Sequence, residues 1–136
     1  MTNLPSDPFV PGGIAGFGDR LRKGDITVEA ATSAYLARIE ALDPRLGAYQ
    51  HVMADQALAT ARALDALLGA GVDLGPLMGV PVAIKDILGV DGAPTTAGSK
   101  LDVSDLIGAE GTFVKMLRKA GCVILGKAKT VEFALG

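Results

Sequence analysis

A lysine at the end of an apolar run is the first place in this chain where chemistry is possible. Residues Gly79-Val80-Pro81-Val82-Ala83-Ile84-Lys85-Asp86 read as a short strand that finishes on a cation. Burying an ammonium costs several kcal/mol unless it is paired or loses its proton. A lysine so placed is either the structural partner of an ion pair or a base tuned by its surroundings, and perturbed lysines cluster at functional sites. Asp86 follows directly, but strand alternation aims it at the opposite face, which makes it a poor partner for Lys85.

Other motifs carry less. Gly121-Cys122-Val123-Ile124-Leu125-Gly126-Lys127-Ala128 nearly spells a phosphate-binding loop. The residues between its glycines are apolar strand formers, however, and alanine stands at 128 where a hydroxyl would have to reach magnesium. Gly12, Gly13, Gly16 and Gly18 precede no strand-to-helix turn of the dinucleotide kind and read as linker. His51 is the only histidine, so a serine–histidine–aspartate site and a metal site are both unsupported. Cys122 is the only cysteine, which excludes an intramolecular disulfide and a cysteine metal cluster. Thr95, Thr96 and Ser99 form a polar cluster whose plain reading is turn chemistry, with hydroxyls bonding nearby backbone.

At 136 residues the chain has the size of one domain with a real core. Aromatics supply only 4% of it, so alanine and the branched aliphatics must do most of the packing. The net charge of −2 has no basic stripe behind it, which argues against nucleic-acid binding. No apolar run approaches a membrane span and no basic-then-apolar leader opens the chain, so a soluble cytoplasmic protein without cofactor or metal is expected.

The elements that must position Lys85 follow from periodicity. Residues 1–24, rich in proline and glycine, read as an irregular arm with at most one helical turn near Asp19–Lys23. Thr27 caps a helix whose apolar face is Val28, Ala31, Tyr35, Ile39 and Leu42, and Asp43-Pro44 is expected to stop it. A second helix runs from about Met53 to Leu68. Val80 to Ile84 is a buried strand, followed by a long loop from Gly89 to Ser99. A third helix spans about Gly111 to Ala120, with Phe113, Met116, Leu117 and Ala120 inward and Lys115, Arg118 and Lys119 outward. Cys122 to Leu125 is a second buried strand. Strand, loop, helix and strand make a βαβ unit, so the fold class is α/β, with helices packed on a partial parallel or mixed sheet. Lys85 then lies at the carboxyl end of its strand, where open parallel sheets bind ligands.

The stretch Gly75-Pro76-Leu77-Met78-Gly79-Val80-Pro81-Val82-Ala83-Ile84-Lys85-Asp86 resembles the block that carries the catalytic lysine in amidase signature hydrolases. Four further stretches agree in order: residues 35–44 with the first long helix, Thr95-Thr96-Ala97-Gly98-Ser99 with the loop after the lysine strand, residues 117–127 with the next helix and strand, and Glu132-Phe133-Ala134-Leu135-Gly136 with the segment beyond. The resemblance covers residues 25–136, read as the N-terminal part of such a domain. Lys129 and Thr130 depart from asparagine and methionine, which bears on the substrate wall, and Leu88-Gly89 replaces a more polar pair.

The resemblance implies an α/β/α fold and a serine–cis-serine–lysine triad. The lysine, neutral in an apolar pocket, draws a proton through the bridging serine from the nucleophile, which attacks an amide carbonyl. Backbone amides hold the oxyanion and water releases the acyl group. Of that triad only Lys85 is carried over; both serines belong to a glycine- and serine-rich stretch that follows the part matched here. Ser99 is no substitute, because no bridging serine is placed beside it. Phe133 and Leu135 are implied as lining for the substrate. The expectation is an N-terminal fragment of an amidase for a small-molecule amide, inactive alone and self-associating through exposed strand edges and apolar faces. The alternatives are a non-catalytic binding or regulatory module and one half of a split enzyme.

Overall fold

Burial overrides propensity at the start of the chain. The computed structural model describes residues 4–136, so the first three residues of the expected arm lie outside it. Within that arm Gly13–Lys23 forms an eleven-residue helix, α1, rather than a single turn. Each internal glycine costs a helix roughly 1 kcal/mol against alanine. Phe17 and Leu21 offset this by entering the core, where the Phe9 ring meets Phe17 edge-on at 5.1 Å. Gly16 is needed for space, since a Cβ there would lie 2.8 Å from the Pro11 carbonyl oxygen.

Val28–Leu46 forms α2, which starts at Thr27 as expected, the Thr27 hydroxyl accepting from the Ala30 N–H at 3.0 Å. Asp65, from the following helix, accepts from the Val28 and Glu29 N–H groups at 2.8 and 3.0 Å and so completes the cap. The helix does not stop at Asp43-Pro44 but continues through it to Leu46. Proline removes one N–H and frees the Glu40 carbonyl. Glu40 and Pro44 are both exposed, so water can serve that carbonyl. The Asp43 carboxylate then turns the chain, accepting from Ala48 and Tyr49 N–H at 2.7 and 3.1 Å.

Tyr49–Val52 is β1 and Ala54–Gly69 is α3, which packs Ala57, Ala61 and Leu64 inward. Pro81–Lys85 is β2, Thr112–Lys119 is α4, and Val123–Ala128 is β3. The sheet order is β1-β3-β2, with β2 parallel to β3, as the βαβ reading requires, and β1 antiparallel on the other side. The near phosphate loop is therefore strand β3, extended to Ala128. Helix α4 corrects the expected facing: Val114 is buried and Leu117 half-buried, whereas Phe113 and Met116 are exposed at 61% and 57%.

Two apolar clusters lie on the two faces of the sheet. Val80, Val123 and Leu125 join α1, α2 and α3, while Ile84 and Ile124 join Val114 and Val90. The register against β2 passes from Val82↔Ile124 to Ala83↔Gly126, leaving Leu125 without a partner. This bulge resets the alternation. Lys127 therefore comes opposite Ile84, on the same face as Ile124. Gly126 makes the bulge possible: its φ is +156°, and a Cβ there would collide with the His51 carbonyl oxygen.

The N-terminal segment is tied down by polar contacts. The Tyr35 hydroxyl donates to Asp7 at 2.6 Å, the Phe9 N–H donates to the same oxygen at 2.9 Å, and the Arg38 guanidinium donates to the Pro5 carbonyl at 2.8 Å. The Tyr35 hydroxyl and then the Phe9 N–H hold the Asp7 carboxyl below its ordinary value of 3.8.

Gly126→Ala should destabilise the protein by about 2 kcal/mol or more, read as a lowered urea midpoint. An unchanged midpoint would show that the bulge is dispensable. Because the folded-state value of Asp7 is lowered, its contribution is complete above pH 3.8 and is lost as pH falls through the lowered value. Acidification through that range should release the Phe9 amide to hydrogen exchange, and Asp7→Asn should abolish this pH-dependent step.

Candidate active site

Two strands of this sheet carry a lysine at or next to their last residue, and the structure treats the two oppositely. Lys85 closes β2, where it lies in register with Ala128. Alternation puts it with Ala83 on the face away from Ile84, and both are exposed. None of the ion pairs among the described residues uses the Lys85 ammonium. The expected apolar pocket is thus not formed around Lys85 by these residues.

The buried lysine is Lys127. Its ammonium lies 2.9 Å from Asp86 Oδ1, with both side chains essentially inaccessible. The same ammonium donates to Thr95 Oγ1 at 2.6 Å and to the Pro94 carbonyl at 3.3 Å. Two of its N–H donors are thereby engaged in hydrogen bonds, while Asp86 Oδ1 meets the ammonium as an ion pair without an aligned hydrogen bond. The other carboxylate oxygen, Asp86 Oδ2, accepts from the Thr96 hydroxyl at 2.5 Å and from the Thr96 N–H at 3.1 Å. A buried ion pair is tolerated when further hydrogen bonds support its charges, as they do here at Asp86 Oδ2 and at the Lys127 ammonium.

Asp86 reaches Lys127 because it faces opposite to Lys85, as alternation requires. Its backbone is held as well: its N–H donates to the Ala128 carbonyl and its carbonyl accepts from the Ala97 N–H, both at 2.9 Å. The loop that follows Lys85 is therefore folded back onto the strand end. Ala97 and Gly98 have φ of 52° and 70°, and a Cβ on Gly98 would meet the Thr130 carbonyl oxygen at 2.6 Å.

That close approach brings the last residues onto the same loop. The Phe133 N–H donates to the Ala97 carbonyl at 2.7 Å, and the Ser99 hydroxyl donates to Glu132 at 2.8 Å. Phe133 lies in a short 3-10 turn, Glu132–Ala134, with Leu135 just after it; both are exposed, at 44% and 81%. The structure thus places Phe133 beside the loop anchored at Asp86, without enclosing a pocket over Lys85. A cavity of about 630 Å³ opens between residues 89–96 and 99–110, lined by Thr95, Ser99, Lys100 and Glu110 but not by Lys85.

Neither alternative nucleophile is suited to the task. Ser99 gives its proton to a carboxylate rather than to a lysine, and Cys122 is buried, with burial pushing its thiol up from the ordinary value. Sequence reasoning missed the roles of Lys127, Thr95 and Thr96. A signal was available, since Val123-Ile124-Leu125 leads to Lys127 as Val82-Ala83-Ile84 leads to Lys85.

The chain is similar in sequence and fold to known proteins. Residues 30–136 match the model of the family described as Amidase. A glutamyl-tRNA(Gln) amidotransferase subunit of Acidothermus cellulolyticus is 48% identical over 112 residues, which are 82% of this chain and 22% of that protein. Its counterpart in Salinispora tropica is 44% identical over all 136 residues and 27% of its own length. The native peptide amidase of Stenotrophomonas maltophilia superposes with a TM-score of 0.85 at 34% identity, covering 94% of this chain and 26% of that one. The chain spans about a quarter of the length of these relatives. By sequence and by structure, it belongs to the amidase signature family.

Proposed function

We propose that this chain is the base-bearing N-terminal portion of an enzyme that hydrolyses amide bonds. The observation that carries the reading is Lys85: exposed at the carboxyl end of a parallel strand, while the neighbouring carboxylate of Asp86 is committed to Lys127. A lysine with no carboxylate bound to it is suited to act as a base once further polypeptide desolvates it. In this reading Lys85 takes a proton relayed by a bridging serine from a serine nucleophile, and both serines come from a glycine- and serine-rich segment outside these 136 residues. Phe133 and Leu135 contribute to the acyl wall. The substrate is an amide small enough to enter between this portion and the rest.

Exposed apolar side chains favour the view that more polypeptide covers this piece, whether in the same chain or in a second one. Leu101, Leu106, Phe113, Met116, Val131 and Leu135 are all more than half exposed. Such exposure, together with the edge of β2 left unpaired among the described residues, favours association.

The 136 residues alone should hydrolyse no simple amide. Supplying a chain that carries the glycine- and serine-rich segment should produce hydrolysis, and Lys85→Ala should then lower kcat roughly 100-fold or more. Hydrolysis by the isolated chain that Lys85→Ala abolishes would refute the need for outside serines. Full activity of Lys85→Ala in the assembled enzyme would refute the role of the base. Separately, sedimentation of the isolated chain should show self-association; a monomer with a cooperative melt would contradict the covered-face reading.

A further inference from the structure

The Asp86–Lys127 pair has no role in the proton relay, yet it is the most buried charge in the described structure. We propose that Asp86, Lys127, Thr95 and Thr96 form a positioning clamp for Lys85, so that the placement of the base is set from the opposite face of its own strand. The proposal rests on the reading of Lys85 as the base.

Geometry supports this on three counts. First, both ends of the Lys85–Asp86 peptide are held: the Lys85 carbonyl accepts from the Leu88 N–H at 3.0 Å, and the Asp86 N–H donates to Ala128 at 2.9 Å. Second, the clamp joins three separate stretches of chain, because Asp86 leaves β2, Lys127 sits on β3, and the two threonines lie on the intervening loop. Third, the loop passes the constraint on, since Ala97 accepts from Phe133 and Ser99 donates to Glu132. Lys85 and the expected acyl wall are therefore referred to one anchor.

A charge pair suits positioning better than it suits stability. Replacing a buried pair by apolar residues of similar volume is often neutral or stabilising. Apolar contacts, however, do not fix direction, whereas the hydrogen bonds at Asp86 Oδ2 and at the Lys127 ammonium accept few arrangements. The bulge at Gly126 is what allows Lys127 to face Asp86. Without it, plain alternation from Ile124 would turn residue 127 toward α2 and α3.

The test uses the 136-residue chain and two readouts that require no hydrolysis. One is the pH profile of acylation of each lysine by acetic anhydride, mapped by mass spectrometry, with exposed Lys23 as internal reference. The other is hydrogen exchange at the Ala97 amide. In the wild type, Lys127 should resist acylation. The double variant Asp86→Asn/Lys127→Met removes both charges without stranding one. It should keep the far-ultraviolet circular dichroism of the wild type, expose Ala97 to exchange, and displace the Lys85 profile relative to Lys23.

Thr96→Val serves if the double variant does not fold, because it leaves both charges in place. Losing its bond to Asp86 should raise exchange at Ala97 about tenfold, with the Lys85 profile displaced. An unchanged Lys85 profile with faster exchange at Ala97 would mean that the network only fastens the loop, which overturns the proposal. Unchanged exchange and an unchanged profile would overturn it too. The clamp can thus fail while Lys85 remains the base in the hydrolysis assay, and the base can fail there while these readouts stand.

Discussion

Two opposite charges with no access to water set the arrangement of this structure. Once Lys127 and Asp86 are both buried, each must find partners for every donor and lone pair that water would otherwise serve, or the fold does not hold them. Removing either one alone leaves a stranded charge, at a cost of about 3–5 kcal/mol. The solution adopted requires β3 to bulge at Gly126, β2 to end at Lys85, and the loop to turn back so that Thr95 and Thr96 reach the pair. The left-handed backbone at Ala97 and Gly98 and the docking of residues 130–133 follow from that return.

The same pairing defines what Lys85 can do. A strand ending in Lys-Asp places the two side chains on opposite faces, and Asp86 is satisfied from β3. Among the described residues Lys85 has no ion-pair partner, and it stands at the strand end where open parallel sheets bind ligands. The described residues do not enclose its ammonium, which stands exposed at the strand end. In the proposed enzyme its desolvation is the task of polypeptide outside these 136 residues, laid against the face of β2 that carries Lys85.

Much of the fold was legible because periodicity reports burial directly. The face of α2, the span of α3 and the parallel pairing of β2 with β3 all follow from spacing. Helix α1 was hidden because its glycines and flanking prolines speak against helix locally, while its stabilisation by Phe17 and Leu21 is tertiary. Strand β1 was hidden because four residues between two helices carry too little pattern, and its pairing with β3 is long-range. On α4, the exposure of Phe113 and Met116 could not be read from apolar character, since that character suits a surface covered by another part of the fold as well as a core. Lys85 was picked out by its place at the end of an apolar run. The burial argument attached to it belongs physically to Lys127, and only the bulge, invisible in sequence, decides which strand-end lysine turns inward.

The most direct test of the account is a nitrogen–proton NMR spectrum of the lysine ammonium groups in the 136-residue chain. The account predicts one ammonium resonance with slow solvent exchange, lost in Lys127→Met and retained in Lys85→Ala. A slowly exchanging ammonium assigned to Lys85, or the absence of any that depends on Lys127, would contradict it.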